Sequence, residues 1–165
     1  MQVDLLYNIT CNKQVVLQKI INMPKTEPRE PRSDCPISGS LDMWGDKWSL
    51  LIVRDLMLFN KNTYGEFLKS DEKISTNILA ARLLALEEAG IVEKLDHPDS
   101  KAKVWYQLTP KGIDLLPLIV EISLWAEKYS TIPQALQPML EAVKKDKEGA
   151  LSAKKLELLA MRNAA

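Results

Sequence analysis

The chain has 165 residues, 46% hydrophobic and 27% charged, the size and balance of one globular domain with extensions and a real core. Lys plus Arg number 22 and so do Asp plus Glu, so overall charge selects no partner, and any nucleic-acid surface has to come from local placement of cations. The two cysteines, Cys11 and Cys35, are too few for a disulfide scaffold.

No apolar run reaches the roughly 18 residues of a membrane span; even "LLPLIVEISLWA" is interrupted by Glu121. A soluble, cytoplasmic protein with no membrane partner is the expectation. The start "MQVDLLYNITCNKQVVLQKII" lacks a basic head and a small-residue cleavage site, so it is a poor secretory signal. "NMPKTEPREPRSD" follows, a Pro-rich, charged stretch that reads as a linker. Residues 1–34 are read as an extension plus linker, with Met23 as a second candidate start, and no function is placed there.

Beyond the linker, Leu41, Trp44, Trp48, Leu51, Ile52, Leu56 and Phe59 recur at three- and four-residue spacing. This predicts two amphipathic helices with a break near Gly45 and a new start capped by Asp46. Thr63 and Glu66 form a capping box for a short helix through Phe67 and Leu68. "SDEK" is a tight turn, and a helix begins at Ser75. Gly90 stands just past its end, where a left-handed residue is usual. "IVEKLDH" and "AKVWYQLT" read as two strands joined by the turn "PDSK", with Val104, Tyr106 and Leu108 on one face. Thr109 and Pro110 open a further helix, running to Tyr129 with a kink expected at Pro117. Two more helices, separated near Gly149, complete residues 131–165. The expected fold is mainly α with a small β-hairpin, in winged helix-turn-helix order, over residues 35–130.

The stretch "STNILAARLLALEEAGIVEK" carries the functional argument. Leu79, Leu83 and Leu86 share the face that enters the core. The start of the opposite face is small or polar: Ser75, Thr76, Asn77, Ala80 and Ala81. Such a helix end fits a major groove, and its free N–H groups favour a phosphate. Leu84 and the Glu87–Glu88 pair confine this role to the first two turns. In the hairpin, Lys101 and Lys103, with Lys111 just beyond it, suit phosphate contact, although any exposed turn collects lysines and Asp96 and Asp99 dilute this one. Ser75 and Thr76 serve equally as plain helix caps and Asn77 as solvated surface. A winged-helix domain used only for protein–protein contact is the alternative reading.

Catalysis is not expected. His97 is the single histidine, no Cys/His group has metal-ligand spacing, and no phosphate or dinucleotide loop occurs among six glycines. No cofactor or metal is called for. The helix 110–129 has more apolar residues than one face needs. Together with the first stripe this points to a homodimer through Leu41, Trp44, Leu118, Ile122, Trp125 and Tyr129, unless the tail helices absorb them.

"CPISGSLDMWGDKWSLLIVRDL", "TYGEFLKS", "ISTNILAARLLALEEAGIVEK" and "YQLTPKGIDLLPLI" closely resemble the HxlR-type winged helix-turn-helix transcriptional regulators. The shared features include Gly45, Lys47 and Trp48, the Arg82–Leu83 pair, and the set Tyr106, Leu108, Thr109 and Gly112. The resemblance implies a homodimer on double-stranded operator DNA. Family members often carry larger polar or basic residues where this chain has Ala80, Ala81 and Leu84, which leaves base reading chiefly to Thr76 and Asn77. Arg82 then reaches a phosphate or structures the turn. Some regulators resembling this chain use a cysteine at the place of Cys35 to sense oxidants or electrophiles. Cys35, next to Pro36 at a helix start, is therefore a candidate redox sensor and equally a small residue that simply fits. An effector, small molecule or oxidant, is left unidentified.

Overall fold

The structure is a computed structural model that describes residues 33–97, 100 and 103–164. The chain divides after Asp34, and its second unit runs from Cys35 to Ala165. Its elements in order are α1 (Pro36–Trp44), α2 (Ser49–Leu58), α3 (Tyr64–Phe67), α4 (Thr76–Glu88), β1 (Val92–Asp96), β2 (Val104–Leu108), α5 (Pro110–Ile113), α6 (Leu116–Glu127), a 3₁₀ turn (Gln134–Leu136), α7 (Gln137–Lys145) and α8 (Lys147–Ala164). This is the winged helix-turn-helix order read from the sequence, with a helical tail.

The local signals act as their chemistry requires. Asp46 Oδ1 accepts the amides of Trp48 and Ser49 at 2.8 and 3.1 Å, so the break after α1 is followed by a capped start of α2. Glu66 Oε2 accepts the Thr63 amide at 2.8 Å as half of the capping box on α3. Gly90 sits at φ 67°, with its amide on Glu87 O and the Ile91 amide on Leu86 O, both at 2.9 Å. Those two bonds close α4 as a Schellman motif.

The hairpin is antiparallel, Val92 facing Leu108 and Asp96 facing Val104. A third segment, not anticipated from sequence, lies on the other edge of β2. Thr63 bridges Trp105, the Tyr106 amide donates to Asn62 O at 2.7 Å, and Asn62 Nδ2 returns a bond to Tyr106 O at 2.9 Å. The connection into α3 therefore anchors the wing. Tyr106 and Leu108 are buried, whereas Val104 on the same face lies at the open end and is exposed.

The core joins Ile52, Val53, Leu56 and Met57 of α2 to Leu79, Leu83 and Leu86 of α4, closed by Phe67, Ile91, Val92 and Ile113. Phe67 and Tyr106 meet edge to face at 6.0 Å. The tail adds Val143 and Leu158 to this same core.

Two boundaries differ from expectation. Pro117 does not kink a long helix; the helix ends at Ile113 and a new one begins at Leu116. Pro117 thereby falls in a first turn, where its missing N–H has no intrahelical acceptor to lose. The tail helices part at Asp146 and not near Gly149, because Asp146 is extended and its Oδ1 accepts the Gly149 amide at 3.0 Å. Gly149 is thus inside the first turn of α8.

Candidate nucleic-acid interface

The N-terminal end of α4 is open. Ser75 is extended at the cap, with no side-chain bond to the helix, and the first amide returned to it is that of Leu79. The amides of the first turn have no intrahelical partner. Ser75, Thr76 and Asn77 are exposed, and Ala80 and Ala81 are half-buried. The small outward face expected from the sequence is present. Its position is held by Tyr64 of α3, whose hydroxyl donates to Thr76 O at 2.6 Å. Tyr64 escaped the sequence reading because nothing in spacing shows a bond from one helix to the next. Exposed Lys69 and Lys73, in the turn before α4, and Ile78, exposed in its first turn, were also missed.

The turn before α4 is braced by a buried carboxylate. Asp55 of α2, 3% exposed, accepts Arg54 at Oδ1 (2.7 Å) and Lys61 at Oδ2 (3.0 Å), and Ser70 Oγ donates to the same Oδ2. Arg54 also pairs with Glu72 at 2.6 Å. Partial burial of Arg54 opposes its charge, but the bonds to Glu72 and Asp55 outweigh it and raise its pKa. Both halves of the helix-turn-helix are thereby tied through residues 70 and 72.

Three further cations, Arg82, Lys94 and Lys111, bond to protein acceptors around α4. Arg82 Nη1 lies 3.1 Å from Asp46 Oδ2, joining the second turn of α4 to the cap of α2. The contact ties α4 to the α1–α2 break. Lys94 pairs with Glu87. Lys111 Nζ donates to Ala89 O at 2.7 Å and so caps the last turn of α4. Since α4 has 13 residues, Lys111 sits about 20 Å along the axis from Ser75. The structure does not bring it to the other candidate contacts. In the wing, Lys103 is exposed and Lys101 lies outside the described residues. His97 stacks edge to face on Trp105 at 5.4 Å.

The tail decides which apolar face of α6 stays open. Leu116 and Val120 face α7 and α8, and the rim is closed by Lys144–Glu127 at 2.8 Å and by Lys147–Glu121. The stripe Leu118, Ile122, Trp125 and Tyr129 is left outside this contact. Trp125 is 64% exposed and Tyr129 72%, and their rings meet at 5.1 Å. On α1, Leu41 is exposed, as is Ile37, and Trp44 is half-buried. Cys35 is the exposed N-cap residue of α1.

Asp46 makes a pH-dependent prediction. Partial burial opposes its ionisation, but bonds from the Ser49 hydroxyl and the Trp48 and Ser49 amides, with Arg82 nearby, hold its carboxyl below the usual value of 3.8. A depressed folded pKa stabilises above the unfolded value, and that stability is lost as pH falls through the folded one. Asp46→Ala is expected to lower stability by about 1–2 kcal/mol at neutral pH. The gap to wild type should narrow below about pH 4. Urea midpoints at pH 7 and pH 3 check this; an equal gap at both sinks it.

Comparison with known proteins agrees with this geometry. The family described as HxlR-like helix-turn-helix matches residues 43–144, beginning after Cys35 and Leu41 and ending before α8. The HTH-type transcriptional regulator YodB of Bacillus subtilis (strain 168) is 34% identical over 96 residues, covering 58% of this chain and 85% of that protein. PA1607, solved as a candidate transcription factor, is 43% identical with a TM-score of 0.54, over 62% of this chain and 70% of that one. The redox regulator HypR in its oxidized form is 29% identical with a TM-score of 0.53, over 59% of this chain and all of HypR. The open N-terminus of α4, the hairpin beside it and the match over 43–144 lead to one conclusion: the chain belongs to the HxlR-like helix-turn-helix family of DNA-binding transcriptional regulators.

Proposed function

We propose that this protein regulates transcription as a homodimer, in the cytoplasm and without catalysis, by placing the first two turns of α4 in a major groove of double-stranded operator DNA. The observation that carries this reading is the uncapped, small-residue start of α4, exposed at Ser75, Thr76 and Asn77 and braced from behind by Tyr64 and the Asp55 cluster. Thr76 and Asn77 are the base-reading side chains, Ala80 and Ala81 admit the groove edge, and Lys103 with Lys101 meets phosphate from the wing. On a duplex selected from the source genome by binding, Asn77→Ala is expected to cost about 1–3 kcal/mol and to relax one position. Lys103→Ala should weaken all sequences alike and reduce the salt slope by about one unit. Wild-type protein that is not retained on any duplex at low salt would leave the protein-partner reading, which exposed Ile78 favours.

The second element of the proposal is the dimer. Ile122 and Trp125 on α6, Tyr129 just beyond it and Leu41 on α1 are exposed large apolar side chains, and an apolar patch built from such residues marks a contact surface. Two-fold packing of these helices, with Trp44 and Leu118 at the margin, would set two α4 helices about 34–36 Å apart. Sedimentation of wild type at micromolar concentration is expected to give twice 18.7 kDa, and Trp125→Glu to give the single chain. A wild-type monomer overturns the arrangement.

HypR, a structural relative described as a redox regulator, supports Cys35 as an oxidant or electrophile sensor at the head of α1. With one cysteine in the unit 35–165, a bond between the two Cys35 residues of a dimer, or a mixed disulfide with a small thiol, is the reversible chemistry. Mild peroxide should then change DNA affinity in wild type and leave Cys35→Ser unaffected. The same response in both proteins, or none in either, returns Cys35 to a packing role.

A further inference from the structure

Helix α8 lies beyond the matched residues 43–144 and is fastened to the body along one stripe. Lys147, Lys155 and Arg162 follow one another at eight and seven residues, about two helical turns each. They pair with Glu121 of α6, Asp114 just after α5 and Glu93 of β1. The first two pairs are exposed and contribute little to stability. The third reaches the wing. Arg162 Nη2 lies 2.9 Å from Glu93 Oε1, and Gln107 Nε2 donates to that same oxygen at 3.0 Å. Glu93 and Gln107 are partners in the hairpin register, so one guanidinium bears on both strands at a single rung. One turn earlier, Leu158 is buried in the core and fixes where the Arg162 side chain starts.

The two supports of the hairpin act in different directions. The bonds from Asn62 lie along the edge of β2 and resist sliding within the sheet. Glu93 and Gln107 project from a face of the hairpin, so a contact on them resists its rotation out of the sheet plane. Lys103 stands four residues from Gln107, about 13 Å along the strand. A small rotation at the rung is therefore magnified at Lys103. We propose that Arg162 is a positioning residue for DNA binding: through Glu93 and Gln107 it fixes the tilt of the wing, and with it the place where Lys103 meets phosphate. The DNA side of this inference rests on the reading that the wing touches phosphate.

The test uses the full chain. Arg162→Met keeps an unbranched apolar stem and removes the guanidinium, whose buried Nε–H finds no acceptor among the described residues. The Glu93 side chain is 32% exposed, so water meets it once Arg162 is gone and the fold survives. Amide hydrogen exchange in β1 and β2 is expected to quicken about fivefold, the loss of one charge-assisted bond, with α2 and α4 unchanged. Binding is then followed on the duplex selected from the source genome and on a scrambled duplex of equal length. Arg162→Met should lower the salt slope by about one unit and leave the ratio of the two affinities as it is. A merely structural loss would lower the active fraction and move neither quantity. Lys103→Ala should lower the slope by the same unit in wild type and by nothing further in Arg162→Met. Arg162→Lys, which returns a cation to Glu93, should recover most of both effects. Unchanged exchange in β1 and β2, or exchange that rises equally in α4, overturns the proposal; so does a Lys103→Ala effect of equal size in both backgrounds. A slope that Lys103→Ala leaves unaltered in wild type sinks the phosphate contact of the wing instead, and exchange alone then decides whether Arg162 positions the hairpin.

Discussion

The orientation of α4 against the wing depends on one clasp at its C-terminal end. The start of α5 closes over the Schellman turn that ends α4. Thr109 sends its hydroxyl to Gly90 O at 2.6 Å and its amide to Ile91 O at 3.0 Å. The same hydroxyl accepts the Gly112 amide at 3.1 Å, so one side chain caps α5 and ties down the end of α4. Lys111 adds its ammonium to Ala89 O. Gly112 makes the approach possible, since a Cβ there would meet Ile91 O at 2.2 Å. Helix, strand and following helix are thereby joined through backbone atoms, which leaves little freedom for β1 to leave at another angle.

At the other end of the helix-turn-helix, charge does internal work. Asp46 organises the start of α2 and holds Arg82; Asp55 gathers Arg54, Lys61 and Ser70. A carboxylate as buried as Asp55 is tolerated because both of its oxygens are met by charged or hydroxyl donors. The consequence for function is a separation of labour among cations. Arg82, Lys94 and Lys111 are engaged with protein acceptors, and the exposed Lys73 and Lys103 remain for solvent or phosphate. A net charge of zero is compatible with this because the relevant quantity is which cations stay uncommitted on one surface.

The helical tail changes what the domain can offer to partners. By covering Leu116 and Val120 it takes one side of α6 into the core, and by reaching the hairpin with Arg162 it buries Gln107 on a face of β2 that would otherwise be wet. The other side of α6 keeps Trp125 in the open, with Tyr129 just past the helix end. An apolar helix can thus serve two contacts at once, each on its own stripe, because residues three and four apart share a face.

The sequence alone determined the element order, the caps and the inward face of α4. These rest on interactions within a few residues: Thr63 with Glu66, Asp46 with the amides of Trp48 and Ser49, Gly90 at its positive φ, and the leucines at helical spacing. The outward start of that helix at Ser75, Thr76 and Asn77 was legible for the same reason. Helix ends inside apolar runs were less so, as Pro117 and Asp146 show, since a break costs little where neighbouring chain supplies the bonds. Only the tertiary structure decided what Arg82 and Lys111 do and how the apolar residues of α6 divide. It also placed Asn62 beside β2 and Arg162 beside Glu93. Those partners stand 22 to 69 positions apart in the chain, and a side chain three to five bonds long reaches whichever acceptor packing brings near. Spacing shows which face a residue occupies, but the partner it meets there is set by how the elements fold back upon one another.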